Sequence, residues 1–178
     1  MKKSLIIGIF MLMSMCASAQ MVAVKTDAVK DLAMIPNLGV DLVVGAKHTL
    51  GLQLFGTGNC WGNKVETIGV SPRFRYWISG RPFTQVFLGV NAQVANYNIK
   101  WSNWKYQGNS VSAGLEVGYA FNLSQRFNIE LSGGTDLMYF SHKEYRVGDN
   151  YSNYEEKANA NGSIFCPRLE VSLVYVIR

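Results

Sequence analysis

The chain has 178 residues, of which 48% are apolar, 16% charged and 12% aromatic, and its formal net charge is +5. This length suits one domain behind a targeting segment, and no basic run is dense enough to predict nucleic-acid binding. Because the sequence has neither a CxxC metal knuckle nor a phosphate-binding glycine loop, we expect no metal, no cofactor and no catalytic residues.

Residues 1–19 have the features of a secretory signal peptide. Lys2 and Lys3 precede a short apolar run, and Ala17-Ser18-Ala19 is the small-x-small pattern of a cleavage site. The apolar run is shorter than the ~20 residues of a membrane-spanning helix. A lipoprotein acylated at Cys16 is the alternative, but the bulky Met15 precedes that cysteine where its peptidase prefers a small side chain. We therefore expect export through the Sec route and one mature domain, residues 20–178.

The mature sequence contains eight runs in which apolar and polar side chains alternate. They lie near residues 22–27, 38–44, 50–54, 68–76, 86–94, 111–122, 127–137 and 168–178. A period of two predicts β-strands, and the links between the runs alternate between short (45–48, 79–82, 123–126) and long (56–64, 96–109, 142–162). This pattern predicts an all-β fold, an eight-stranded antiparallel up-and-down transmembrane β-barrel in the outer membrane, with periplasmic turns and surface loops.

The polar faces of these runs carry ten charged residues that we expect to share the barrel interior. They are Lys25, Asp27, Asp41, Arg73, Arg75, Glu116, Glu130, Asp136, Arg168 and Glu170. An eight-stranded barrel is only wide enough for side chains to fill it, and buried charges must be paired. The pattern therefore predicts a salt-bridge plug; a narrow proton or ion path is the alternative.

A soluble barrel with its apolar side inward would show the same alternation. The lysines argue against it, because nearly all of them fall in the proposed turns and loops rather than on polar strand positions. We also expect an aromatic girdle at the periplasmic strand ends, formed by Tyr76, Trp77, Phe83, Phe121, Phe127 and Tyr175.

The proposed surface loops hold the candidate contact residues. These are Tyr97, Trp101, Trp104, Tyr106, Tyr145, Tyr151 and Tyr154. Exposed aromatic residues beside lysines suit a glycan, a protein or lipid headgroups, although they would also serve as interface anchors. Cys60 and Cys166 fall toward the same end, and whether they form a disulfide is left open by the sequence.

The positions of the two histidines bear on whether the protein could be an enzyme. A lipid-modifying barrel would need a nucleophile and a base near the outer rim. His48 falls in a proposed periplasmic turn, whereas His142 follows Ser141 at the outer end. Adjacent strand residues point to opposite faces, so Ser141 and His142 are poorly placed to act as a dyad.

Several short motifs resemble one family across nearly the whole mature chain. They are Pro36-Asn37-Leu38-Gly39, Arg75-Tyr76-Trp77, Tyr106-Gln107-Gly108, the stretches 114–119 and 123–128, and the ending 172–178. With them the chain resembles the Bacteroidetes outer-membrane family catalogued as domain of unknown function 3575. The resemblance implies a small outer-membrane β-barrel without defined catalytic residues, and a role in surface assembly near fimbrial or adhesin components.

Together these features predict a non-enzymatic, monomeric barrel that presents loops for adhesion, envelope maintenance or surface assembly. Its expected partners are outer-membrane lipid and a surface or fimbrial protein or glycan. An outer-leaflet lipid-modifying enzyme and a secreted soluble barrel that binds an apolar ligand are the alternatives.

Overall fold

A computed structural model of the chain describes residues 21–58, 65–146, 148 and 159–177. The predicted signal peptide, its cleavage site, Cys60, Tyr151 and Tyr154 lie outside the described residues. Whether Cys60 and Cys166 form a disulfide, which the sequence leaves open, is therefore not tested.

Eight strands and one short helix make up the described chain. In order they are β1 (Val22–Asp27), α1 (Ala28–Leu32), β2 (Asn37–Val43), β3 (His48–Thr57), β4 (Val65–Trp77), β5 (Gln85–Trp101), β6 (Trp104–Asn122), β7 (Phe127–Arg146) and β8 (Asn159–Ile177). Each strand pairs antiparallel with the next, and β1 also pairs with β8, which closes the sheet into a barrel. The prediction of an all-β fold with eight antiparallel strands is confirmed. Among the described residues, no helix is long and apolar enough to cross a membrane.

The two ends of the barrel differ. At the turn end lie residue 21, the C-terminal end of β8 and the links 44–47, 78–84 and 123–126. The opposite, loop end holds α1 and the tip of the β5–β6 hairpin. On β5 to β8 the strands are much longer than on β1 to β3, so one side of the wall extends further at the loop end.

Two of the predicted loops are wrong. Residues 96–109 are not a loop, because β5 and β6 stay paired up to Trp101 and Trp104 and leave only a two-residue turn. The predicted loop 142–162 is also too long, since β7 continues to Arg146 and β8 begins at Asn159. Ladder hydrogen bonding continues into these segments although their composition, rich in Asn and Lys, resembles that of loops.

Helix α1 was not predicted from the sequence. Asp27 ends β1 in an extended conformation, and its carboxylate accepts a hydrogen bond from the Val29 amide at 3.0 Å. This satisfies one of the amide groups that the first turn of a helix leaves without a partner. The single helical turn that follows leads the chain back over the barrel mouth before β2 begins.

Side chains alternate between a polar interior and an apolar exterior over most of the barrel. Leu, Val, Ile and aromatic side chains point outward, and Leu115 on β6 is 65% exposed. Inward positions hold Ser, Asn, Gln and the charged residues. The turn end is an exception, because a cluster of apolar side chains closes the interior there: Ala23, Trp77, Phe83, Phe87, Ala120, Val174 and Val176.

The predicted aromatic girdle is wrong at two positions, both of which belong to this apolar floor. Trp77 and Phe83 are buried inside the barrel and pack against each other, rather than facing outward. Phe83 folds inward from a link with positive φ, and its carbonyl oxygen accepts hydrogen bonds from Asn122 and Asn128. Tyr76, Phe121, Phe127 and Tyr175 do lie on the outward side.

Candidate functional site

The first cluster of the interior is organised by Arg75. Its Nε lies 2.6 Å from Glu116 Oε1, and its Nη1 lies 2.7 Å from Glu130 Oε2 and 3.7 Å from Asp41 Oδ2. Lys25 Nζ lies 2.6 Å from the same Asp41 oxygen. All five side chains are almost fully buried, so the two cations pair with the three carboxylates with little water around them.

A second cluster lies beside the first and nearer the loop end. Arg73 Nη1 lies 2.8 Å from Glu170 Oε1, and Arg168 contacts Asp136 at 3.3 Å and Glu170 at 3.9 Å. Arg73 Nη2 also donates a hydrogen bond of 2.5 Å to Gln53 Oε1. Nine of the ten predicted interior charges thus lie inside the barrel in these two groups, and the tenth, Asp27, lies buried above them.

Lys30 is an interior cation that sequence reasoning missed. From α1 its ammonium reaches into the mouth, where it lies 3.2 Å from Asp27 Oδ2 and donates to Gln53 Oε1 at 2.9 Å. Burial lowers the pKa of Lys30, and the nearby Glu170 and Asp27 carboxylates act in the opposite direction. The spacing of Asp27 and Lys30 across one helical turn is the signal that could have found it.

Asn37 holds this cap in place. Its Oδ1 accepts hydrogen bonds from the Asp27 amide at 2.8 Å and from Gln53 Nε2 at 2.7 Å. Its Nδ2 donates to the Asp27 carbonyl and to Asp31 Oδ1. Asn37 therefore ties β1, α1 and β3 together directly above the charged interior.

Close packing of the charged side chains depends on glycine at neighbouring inward positions. At Gly51, a Cβ would collide with the Asp41 carboxylate and with the Arg73 stem. Only glycine leaves room there for the two charge clusters to lie side by side. The interior is thus filled by its own side chains, as the width of an eight-stranded barrel requires.

Towards the loop end the two faces of β5 to β8 exchange their character. The register continues without a shift, and four outward residues paired from strand to strand form a polar row: Asn96, Asn109, Ser141 and Asn161. The outward residues just before this row are the apolar Val94, Val111 and Tyr139 on β5 to β7 and the polar Ser163 on β8. The apolar belt therefore ends at this level, and the strands continue beyond it with polar outer surfaces.

On the inward side of the same segment lies a pocket of about 420 Å³. It is called the loop-end pocket below, and it is lined by Tyr97, Ile99, Tyr106, Ser110, Met138, Phe140, His142 and Ile164. All eight fall on the inward side of β5 to β8, in register with the interior charges. The pocket is thus a mostly apolar chamber above a charged one.

His142 is at the centre of the pocket wall. Its ring stacks on Phe140 at 5.4 Å between centroids, and the edges of Tyr97 and Tyr106 face it. Its Nδ1 lies 2.9 Å from the Tyr97 hydroxyl and its Nε2 lies 3.3 Å from Glu144 Oε1. Ser141 is in the outward polar row, so the two residues point to opposite faces of β7.

The predicted surface aromatics have separate positions. Tyr97 and Tyr106 line the pocket, whereas Trp101 and Trp104 flank the hairpin turn, 66% and 43% exposed. Tyr145 is on the outward face, buried, with its hydroxyl donating to Gln107. His48 begins β3 instead of lying in a turn, and its ring packs on Phe74 and Tyr76. The sequence does not predict the pocket, because four of its eight lining residues, Tyr97, Ile99, Tyr106 and His142, fall in segments whose composition predicts loops.

The fold and these sites define a small, closed, all-β protein with a charge-filled interior and an aromatic pocket at one end. The chain belongs to the family described as "Protein of unknown function (DUF3575)", whose model matches residues 5–177. This confirms the family resemblance seen in the short motifs. Searches of curated proteins and of solved structures found no match.

Proposed function

We propose that the protein is a non-enzymatic outer-membrane β-barrel that presents a partly aromatic ridge, the paired segments of β5 to β8 beyond the polar row, at the cell surface. The observation that carries the proposal is the polarity of the barrel, with buried charges inside and an apolar belt outside. A soluble barrel has the opposite arrangement, because its apolar side chains fill the core. In water the exposed belt would be a severe aggregation hazard.

The height of the belt supports the same proposal. On β6 the outward residues are apolar from Val111 to Phe121. At about 3.4 Å per residue and a tilt of about 40°, that stretch rises about 26 Å, close to the ~25 Å apolar band of outer-membrane barrels. Aromatic pairs at the turn end, such as Phe127 with Tyr175, are suited to the membrane interface.

The interior favours a structural role over transport. Arg75 and its carboxylate partners come from several strands and are buried in the interior. The apolar floor closes the turn end beneath them. An ion path would require water-lined passage past both layers. We therefore propose a closed barrel whose working surface is the β5–β8 ridge, with a surface protein or glycan as partner.

Heat-modifiability of the full-length protein tests the proposal. Outer membranes are extracted with detergent, and boiled and unboiled samples are compared on a cold SDS gel. A mobility shift on boiling, with the protein in the outer-membrane fraction, is the expected result. Recovery of a soluble protein without detergent, and no shift on boiling, would overturn it.

A second measurement tests closure separately. The purified protein, reconstituted into planar bilayers, should give no conductance above that of protein-free bilayers. Reproducible single-channel steps would contradict the closed interior while leaving the membrane location intact.

A further inference from the structure

We propose that the loop-end pocket binds the hydrocarbon chain of an anionic amphiphile that enters from water. The aqueous approach rests on the outer-membrane location proposed above, whereas the pocket and its chemistry do not depend on it. Nothing in the charged interior below suits such a ligand, so the site is separate from the salt-bridge plug.

The size and lining of the pocket favour an apolar ligand. Its volume of about 420 Å³ lies within the ~300–1,000 Å³ common for small-molecule sites. Ile99, Met138 and Ile164 contribute aliphatic surface, and Phe140 adds an aromatic ring. Met138 is flexible and polarizable, which suits a chain that has no fixed shape.

The polar atoms of His142 and Tyr97 in the wall are already engaged within the protein. Both ring nitrogens of His142 have partners, the Tyr97 hydroxyl on one side and the Glu144 carboxylate on the other. A polar ligand would have to break these contacts or remain unpaired, which is costly when buried. A hydrocarbon chain loses nothing by lying against them.

A cation on the inward side of the rim favours an anionic headgroup. Among the described residues at this end of β5 to β8, Arg146 faces inward with Glu144 on the same side of β7, whereas Lys100, Lys105 and Lys143 are on the outward face. The Arg146 guanidinium lies 5.6 Å from the Trp104 ring centroid, on the inward side above the pocket. A carboxylate or phosphate held there would leave its chain pointing down the wall.

The polar row favours entry from water rather than from the bilayer. Asn96 donates a 2.7 Å hydrogen bond to Asn109, and both are on the outer surface at the level of the pocket. A lipid tail moving sideways from the membrane would have to cross this polar surface. A dispersed, single-chain amphiphile that approaches from the loop end does not have to cross it.

Calorimetric titration of the full protein in phosphatidylcholine nanodiscs tests the site. Octanoate, decanoate and dodecanoate are added below their micelle concentrations, and the heat from empty nanodiscs is subtracted. The expected result is saturable binding of one amphiphile per protein, tightening about fourfold with each added methylene. Heat proportional to the lipid alone, with no saturable component, would overturn the proposal.

A matched pair of variants locates the site. Ile164→Asn places an amide in the pocket wall and should weaken dodecanoate binding at least tenfold, whereas Ser163→Asn, on the outward face of the same strand, should bind as the wild type does. Equal binding by both variants would contradict the site. A retained gel shift on boiling would show that each variant folds, so loss of binding is distinguishable from loss of the barrel.

Two further arms test the headgroup and the source. Wild type should prefer dodecanoate to dodecanol, and Arg146→Gln should reduce that preference; an unchanged preference would contradict a headgroup site at the rim. Native mass spectrometry of the protein in nanodiscs without amphiphile should show no retained phospholipid. A phospholipid displaced by dodecanoate would overturn entry from water.

Discussion

Arg75 and Glu116 are 41 residues apart in the chain and meet inside the barrel, with 2.6 Å between Nε and Oε1. They belong to β4 and β6, which do not pair with each other, so their contact crosses over β5. Gly89 on β5 faces them, and a Cβ there would collide with Glu116. The pair therefore links strands that the hydrogen-bonded ladder leaves unconnected.

Replacing Arg75 should destabilise the barrel without opening it. Arg75→Ala leaves Glu116, Glu130 and Asp41 facing one another without their cation. Removing one partner of a buried pair costs about 3–5 kcal/mol, and urea unfolding in lipid vesicles measures that change in unfolding free energy. Arg81→Ala, at an exposed turn position, is the matched control and should change little. Conductance by Arg75→Ala would show that the charges, rather than the floor, close the barrel.

Removing the carboxylate together with the cation should recover part of the loss. In a double-mutant cycle, Glu116→Gln in the Arg75→Ala background should show a coupling of about 0.5–3 kcal/mol, because the two side chains are in contact. The unfolding free energies of wild type, both single variants and the double variant are compared under one set of conditions. Strict additivity would mean that the contact contributes nothing of its own.

The apolar belt and the ridge above it should respond differently to a new charge. Leu115→Arg, on the outer face of β6, should cost about 2–4 kcal/mol if that position lies near the middle of a bilayer. Asn98→Arg, on the outer face of β5 beyond the polar row, should cost less than about 1 kcal/mol. Folding yield into phospholipid vesicles and urea midpoints give both values. Similar penalties at the two positions would contradict the assigned membrane boundary.

The cap over the mouth should open locally when its central amide is lost. Asn37→Ala removes hydrogen bonds to the Asp27 backbone, to Gln53 and to Asp31. We expect faster hydrogen exchange in residues 26–38 and unchanged exchange in β6, since local opening does not require global unfolding. Exchange measured by mass spectrometry tests this, with Asn103→Ala in the hairpin turn as the control. Uniformly faster exchange would indicate a weakened barrel instead.

The sequence was informative wherever one physical rule governed a long stretch. Alternation with period two predicted all eight strands, and polar positions such as Arg73 and Arg75 fell on the side that the structure places inside. In a closed sheet the face of a residue follows from its parity along the strand. The direction of that face relative to membrane or water came from composition alone.

What the sequence did not predict lies where two rules compete. Trp77 and Phe83 have the composition of an interface girdle, but the turn end needs apolar side chains to close its interior. In the sequence Lys30 resembles a lysine of a loop, but the helical turn after Asp27 directs its side chain into the barrel mouth. The composition of the ridge predicts loops because its polar and apolar faces are exchanged, and the pairing that keeps Asn96 beside Asn109 is not visible in composition.

Because the strands differ in length, the rim of the barrel mouth is higher on one side than on the other. β5 to β8 form a tall wall, whereas β1, β2 and β3 end far below it, near α1. In the part of the chain that the structure describes, a partner coming from the side of the tall wall meets Lys105 and the outward Gln107, while one coming from the side of β1 to β3 faces the Tyr97 and Tyr106 rings. The two sides of the mouth therefore differ. A partner that docks from the side of β1 to β3 must do so with a fixed orientation around the barrel axis.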